Sequence, residues 1–250
     1  MRLDSWLTEN SFFASRQKAQ FAIKAGHVLV NEKAVTKPSA QIQPTDEIRV
    51  TGSALRYVSQ GGLKLEKAIR HFQLDFSGKR VLDAGASTGG FTDCALQHGA
   101  ALVYAVDIGT DQLDKTLREN LKVHCHEKTD IRTISLELLD GEAVDIIVAD
   151  LSFISLTQVL PRFKKLLAPS GFLLTLIKPQ FEMEQKLRLK KGIIKDRKLR
   201  EAAVRRVTET AKAHEFHLQG LVETDVEDVK KKNLEYVALF YHANKKGDIG

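Results

Sequence analysis

The chain has 250 residues, 43% of them apolar, which is enough for one large domain or for a small one beside a medium one. Its formal net charge of +6 favours an anionic partner, nucleic acid first, and its two cysteines, Cys94 and Cys125, exclude a disulfide framework and point to a reducing compartment. Residues 1–6 carry no apolar leader core and the strongest apolar run, residues 171–177, is far too short to cross a bilayer, so the expectation is a soluble cytoplasmic protein.

In chain order, residues 1–50 form a first module. Ser15 is placed to cap a helix that Gly26 ends, with Ala19, Ala22 and Ile23 on one face and Arg16, Gln20 and Lys24 on another. A small β unit follows at 28–30, 34–35 and 48–50, with a turn at 31–33. The string Arg2-Leu3-Asp4, Ser15-Arg16, Ala19, Ile23, Gly26, Val28, Val30-Asn31, Lys37-Pro38 and residues 46–50 resembles the RNA-binding module of the ribosomal-protein S-four type. On that resemblance Arg2, Arg16, Lys18, Lys24 and Lys37 are expected to face RNA, although the module holds only seven Lys/Arg against five Asp/Glu.

Residues 51–60 read as a linker, and an α/β alternation occupies 61–243 before a polar tail at 244–250. Helix is expected at 62–72, 110–119, 155–167 (broken or restarted by Pro161) and 196–214. Strands are expected at 80–83, 102–106, 122–125, 144–149, 172–177, 218–223 and 234–241. Short apolar strands alternating with helices imply a mostly parallel sheet covered on both faces.

The first of these strands runs into Asp83-Ala84-Gly85-Ala86-Ser87-Thr88-Gly89-Gly90-Phe91. A glycine-rich strand-to-helix turn lets backbone N–H groups approach a ligand, and Asp107, ending the next strand, stands where a nucleoside-binding fold places a carboxylate for ribose hydroxyls. The spacing fits neither a dinucleotide fingerprint nor a phosphate loop with its Lys-Ser/Thr. It looks like the first motif of an S-adenosylmethionine-dependent methyltransferase. Ligands of open α/β sheets lie beyond the carboxyl ends of the strands, and Asp83, Asp107, Asp130, Asp150 and Lys178 all fall there.

Ala149-Asp150-Leu151-Ser152-Phe153, residues 176–182 (Leu-Ile-Lys-Pro-Gln-Phe-Glu) and residues 58–65 (Val-Ser-Gln-Gly-Gly-Leu-Lys-Leu) complete the pattern. With the glycine turn they make the chain resemble the TlyA (haemolysin A-like) family, whose catalytic half is similar to the FtsJ-type RNA ribose 2′-O-methyltransferases. The resemblance implies a class I methyltransferase fold, Rossmann-like with a mostly parallel seven-stranded sheet, behind a small α+β RNA-binding domain. It implies S-adenosyl-L-methionine as cofactor and ribosomal RNA or ribosomal subunits as partner, with cytidine as the nucleotide. It also implies a catalytic set of Lys64, Asp150, Lys178 and Glu235. The family's last motif carries glycines and a proline ahead of its Glu, whereas residues 230–234 here read Lys-Lys-Lys-Asn-Leu. Cofactor contacts carry over to Asp83, Gly85, Ser87, Gly89, Phe91, Asp107 and Asp130, the last being equally suited to an N-terminal helix cap.

A ribose hydroxyl is a weak nucleophile and the methyl sulfonium a good electrophile, so such an enzyme must align the two and help the oxygen lose its proton. Lys178 is expected nearest the acceptor oxygen with Asp150 orienting its amine, and Glu235 is expected to hold Lys64 or the ribose. Residues 186–206, which include Lys190, Lys191 and Arg197, are the most basic stretch and suit a sequence-independent phosphate grip, or simply a solvated face. His124-Cys125-His126 lacks a fourth ligand nearby and is not read as a metal site, and neither cysteine lies in a motif that delivers a nucleophile. Three rival readings are a base-directed methyltransferase (the paired prolines of the exocyclic-amine motif are missing after Asp150), a membrane-active cytolysin and an RNA-binding protein without turnover.

Overall fold

The computed structural model describes residues 1–13, 16–51, 56–183, 193–224 and 233–242. It divides into two compact units, residues 1–60 and 61–250. The expected cap Ser15, the basic residues 186–192 with Lys190 and Lys191, the loop residues 225–232 and the tail lie outside the described residues.

In the first unit, α1 (Leu3–Glu9) and α2 (Arg16–Lys24) pack beside a three-stranded antiparallel sheet, β1 (Val28–Val30), β2 (Lys33–Ala34) and β3 (Ile48–Val50), in the order β2-β1-β3. Leu3, Leu7, Ala19, Ile23 and Val28 are fully buried and make its core. Helix α2 stops where glycine allows it: Gly26 has φ +75°, and the N–H groups of Gly26 and His27 return to the carbonyls of Ile23 and Ala22. Asn31 and Glu32 both adopt positive φ, the backbone of the tight turn between β1 and β2.

The second unit opens with α3 (Gly61–Phe72) and then winds a seven-stranded sheet. Its strands are β4 (Arg80–Ala84), β5 (Leu102–Val106), β6 (Val123–His126), β7 (Val144–Ala149), β8 (Leu167–Ile177), β9 (Phe216–Glu223) and β10 (Tyr236–His242). The order is β6-β5-β4-β7-β8-β10-β9. Strands β4 to β8 are parallel, and β10 inserts antiparallel between β8 and β9. Helix α4 (Gly90–Gln97) links β4 to β5, and short α5 (Lys115–Arg118) links β5 to β6. A 3₁₀ turn at Leu156–Gln158 leads into α6 (Leu160–Leu166) before β8; α7 (Pro179–Glu182) and α8 (Arg197–Ala213) follow it. The central strands are apolar on both faces because both faces are covered: Leu82, Ile147, Leu173, Phe163 and Phe240 are all fully buried.

One expectation is narrowed and one changes. Pro161 sits in the first turn of α6, where its missing N–H costs nothing, so the expected break is a 3₁₀-to-α restart. The helix expected at 110–119 shrinks to the four residues of α5. Its missing first half is claimed by Glu127, whose carboxylate accepts the N–H groups of Asp111 (2.8 Å), Gln112 (2.9 Å) and Leu113 (3.2 Å) and pairs with Arg118 at 2.9 Å. Burial works to raise its pKa, but these donors outweigh it and hold the group down at about 2.

Helix α8 is capped by Asp196, whose side chain accepts from the Lys198 N–H at 2.8 Å. Asp196→Ala is expected to destabilise the second unit by about 1 kcal/mol, read as a lowered melting temperature by circular dichroism with α8 fraying first in hydrogen exchange.

Candidate active site

The rim at the carboxyl ends of β4, β5, β7 and β8 gathers the candidate side chains Asp83, Asp107, Asp150 and Lys178. The turn after β4 is built by glycine. Gly85 has φ +84°, and a Cβ there would sit 2.9 Å from the Asp150 carbonyl oxygen and 3.1 Å from Leu151. Gly89 has φ +92°, and a Cβ on it would collide with Leu117 and Leu113. Between them Ser87 holds φ +48°, a left-handed conformation for a residue with a side chain. The N–H groups of Gly85 and Ala86 both reach the Val106 carbonyl, at 2.9 and 3.1 Å, which ties the turn to the end of β5.

Asp83 is fully buried. Its Oδ2 accepts from the Thr92 hydroxyl at 2.7 Å, joining β4 to the first turn of α4, while Oδ1 is buried with no partner. Burial, reinforced by the charges of Asp150 and Asp107, raises its pKa to about 7. Phe91, expected in the loop, instead lies in the first turn of α4 and is buried. Asp107 ends β5 with both carboxylate oxygens on the turn: Oδ2 accepts from the Ser87 N–H at 2.8 Å and Oδ1 from the Gly109 N–H at 2.7 Å. Each oxygen keeps a lone pair for a further donor. Asp130 folds back on its own segment, accepting the Arg132 N–H at 2.9 Å and pairing with the Arg132 guanidinium at 2.5 Å, the cap-like alternative foreseen for it.

Lys178 follows β8 and is buried, its Nζ 2.5 Å from Asp150 Oδ1 and donating to Ser152 Oγ at 2.9 Å. Lys64, in the first turn of α3, donates to Glu235 Oε2 at 2.7 Å across 171 residues of chain. Each lysine thus has its own carboxylate. Antiparallel β10 brings the two pairs to neighbouring strand ends: Tyr236 lies opposite Ile177, and one step further that register sets Glu235 opposite Lys178. The motif departure ahead of Glu235 lies mostly outside the described residues, but Asn233 anchors its end by accepting the Ile194 N–H at 2.8 Å.

Three neighbours of the rim carry roles that sequence reasoning missed. Ser152 is the second acceptor for Lys178. Glu182, in α7, is buried and clamps the segment before α6, accepting the Ser155 hydroxyl at 2.5 Å and the Leu156 N–H at 2.8 Å; burial raises its pKa. Phe153 is 92% exposed at φ +65°, with its ring 5.1 Å from that of Phe181. Core packing does not explain a bulky residue in that conformation and at that exposure, and this was the available signal: an aromatic three residues past a rim carboxylate.

The basic residues divide by partner. Arg2 and Arg16 both pair with Asp4, and Arg197 pairs with Glu201 at 2.6 Å. Lys24 and Lys37 are exposed, and Lys18 is partly buried. His124 lies 3.6 Å from Asp140, while the His126 ring stacks on Tyr104. Cys94 is buried in α4, and burial pushes the Cys125 thiol up. No helix among the described residues is long and apolar enough to cross a membrane.

The sheet order, the glycine turn with its carboxylates and the lysine pairs define an α/β methyltransferase of class I. The FtsJ-like methyltransferase family matches residues 57–241 and the S4 domain residues 1–48, so the chain belongs to the FtsJ-like methyltransferases and carries an S4 domain. Hemolysin A of Brachyspira hyodysenteriae is 46% identical over 201 residues, 80% of this chain and 83% of that protein. The 16S/23S rRNA (cytidine-2′-O)-methyltransferase TlyA of Mycobacterium tuberculosis is 38% identical over 221 residues, 88% of this chain and 82% of its own. A solved candidate hemolysin from Streptococcus thermophilus, 35% identical, superposes with a TM-score of 0.76 over 100% of this chain and 91% of that one. The motif resemblance is thereby borne out, and the methyl donor of this enzyme is S-adenosylmethionine. The rim fits that cofactor: side-chain-free turns at Gly85 and Gly89 and a buried, unpartnered Asp83 Oδ1 adjoin Asp107.

Asp83 titrates at about 7 when folded against 3.8 when unfolded, so the stability it contributes is complete at low pH and is lost as pH rises through about 7. Asp83→Asn removes that loss. Urea denaturation of the two proteins should show the variant gaining on the wild type by a few kcal/mol between about pH 5 and about pH 8.

Proposed function

We propose that the chain transfers the methyl group of S-adenosylmethionine to the ribose 2′-hydroxyl of a cytidine in ribosomal RNA, in the cytoplasm. The observation that carries the reading is the Lys178–Asp150 pair beside the Lys64–Glu235 pair at adjoining strand ends, next to the glycine turn. Relatives support the substrate class: the Mycobacterium tuberculosis protein is named a 16S/23S rRNA (cytidine-2′-O)-methyltransferase, and one from Campylobacter jejuni, 34% identical, a 23S rRNA (cytidine-2′-O)-methyltransferase.

When bound, the cofactor supplies an electrophilic methyl group on a sulfonium. Gly85, Ser87 and Gly89 would surround its methionine end, with Asp83 beneath, and Asp107 would accept its ribose hydroxyls. Lys178 Nζ, as the free amine left once the ammonium has given a proton to solvent, is the atom that takes the proton leaving the acceptor hydroxyl. Asp150 Oδ1 and Ser152 Oγ hold that nitrogen in place, which fixes the direction of its remaining position. Glu235 steadies Lys64, whose Nζ brings a second positive charge toward the anionic acceptor strand. The exposed ring of Phe153, beside Ser152, offers an unstacked base a π-face. The first unit adds RNA affinity through Lys18, Lys24 and Lys37 as well as the two arginines, and the basic residues within 186–206 supply a phosphate grip of their own.

Purified enzyme with methyl-labelled cofactor and intact ribosomal subunits tests the acceptor. Label in a dinucleotide that resists alkali establishes ribose methylation, and label in mononucleotides would assign the base and overturn the reading.

Lys178→Ala is expected to keep cofactor affinity by calorimetry while turnover falls about 100-fold or more. A wild-type rate in that variant would remove Lys178 from the chemistry.

A further inference from the structure

Asp4 is a charged residue with 0% of its side chain exposed, on a small domain whose surface could solvate it. Its carboxylate is saturated. Oδ1 accepts from Arg2 Nε at 2.9 Å, from the Ser5 N–H at 3.0 Å and from Arg16 Nη2 at 3.5 Å. Oδ2 accepts from Arg2 Nη2 at 2.9 Å, Arg16 Nε at 3.0 Å and Gln20 Nε2 at 2.7 Å. Both guanidinium groups thus present the same edge, Nε with Nη2, to one carboxylate.

That arrangement leaves something specific on the surface. A guanidinium is a rigid plane with two donor edges, and the edge carrying Nη1 faces away from Asp4 in each arginine. Arg2 is 43% exposed and Arg16 51%, so the outward edges are wet while the inward edges are dry. Both groups lie one hydrogen bond from the same two oxygens, which keeps them within about 8 Å of each other. The cluster carries a net charge of +1. Two forks fixed side by side match the oxygens of a phosphodiester strand, which flat guanidinium groups bind in bidentate fashion.

We propose that Asp4 is a positioning residue that presents Arg2 and Arg16 as a paired clamp for the phosphate backbone of RNA. The proposal rests on the reading that the first unit grips RNA and adds how it does so. Loose arginines would lose side-chain freedom on binding; these two have lost it already, so more of each contact survives as affinity.

Charge alone predicts the opposite sign for the decisive variant. Asp4→Asn removes a negative charge and raises the cluster to +2, which strengthens sequence-independent RNA binding if only charge counts. Asparagine has one acceptor oxygen and an NH₂ that repels guanidinium donors, so it cannot hold both forks. Positioning therefore predicts binding weaker by on the order of tenfold despite the added charge, with the slope of log affinity against log salt reduced by about 1.

The experiment uses the full chain, intact ribosomal subunits and an RNA hairpin, with affinity measured across a salt series and folding followed by circular dichroism. Weaker binding by folded Asp4→Asn supports the proposal, and unchanged or tighter binding overturns it. Ile23→Val, which loosens the same small core away from the carboxylate, should bind as wild type; a loss equal to that of Asp4→Asn would trace the effect to stability and overturn the proposal. If Asp4→Asn does not fold, Arg2→Lys with Arg16→Lys decides: charge is kept and the forks are lost, so weaker binding supports positioning and equal binding overturns it. Arg2→Gln with Arg16→Gln separates the two layers. Unchanged affinity there sinks the RNA grip at these arginines, whereas a loss there without one in Asp4→Asn sinks only the role of Asp4.

Discussion

Between the end of β4 and the end of β7 the backbone leaves no space for a side chain. Gly85 stands so close to the Asp150 carbonyl that a single added carbon would sit 2.9 Å from it, and the Asp150 N–H closes the approach from the other side by bonding the Ala84 carbonyl at 3.1 Å. This contact joins the two halves of the site. The turn that would hold the cofactor and the carboxylate that holds Lys178 are registered through adjacent main chain, with no flexible side chain between them. A site that must bring an electrophile and a nucleophile into line gains from such a short, stiff connection, because misplacement of the reacting groups by an ångström is costly.

The charges at the rim follow from where the sheet puts them. Lys178 is 8% exposed, and an ammonium taken that far from water has to be met by a carboxylate and a hydroxyl. Lys64 is 36% exposed and, among the described residues, is met by the Glu235 carboxylate. The more buried lysine has the more complete coordination, as desolvation demands. Asp83 shows the other response to burial: with one hydroxyl donor and two carboxylates for neighbours, it holds its proton to about pH 7 instead of finding a cation.

The strands were readable because parallel strands covered on both faces appear as apolar runs, and 102–106 and 144–149 coincide with β5 and β7. The glycine turn was readable because positions 85 and 89 combine a positive φ with an approach too close for a Cβ, which only glycine meets. Partnerships at long range were not. Nothing local to residues 110–114 tells that Glu127 will claim their N–H groups, and nothing local to Glu182 tells that it will clamp Ser155 and Leu156. Lys64 and Glu235 were placed together through family motifs, since periodicity does not link residues so far apart. Arg2 and Arg16 were expected to face RNA on the resemblance of their motif, yet one edge of each guanidinium is engaged with Asp4, a contact that nothing local to the sequence announces.

The antiparallel strand β10 has a further consequence for how the enzyme comes into being on the ribosome. The sheet interior can assemble as β4 through β8 leave the exit tunnel, and the glycine turn with it. Glu235 immediately precedes β10, the last strand among the described residues, so Lys64 waits for its partner until that strand has been synthesised. A nascent chain can therefore possess the folded glycine turn while the rim beside it still lacks the Lys64–Glu235 pair. The charge pattern at that end of the sheet is therefore finished only once β10 has docked against β8.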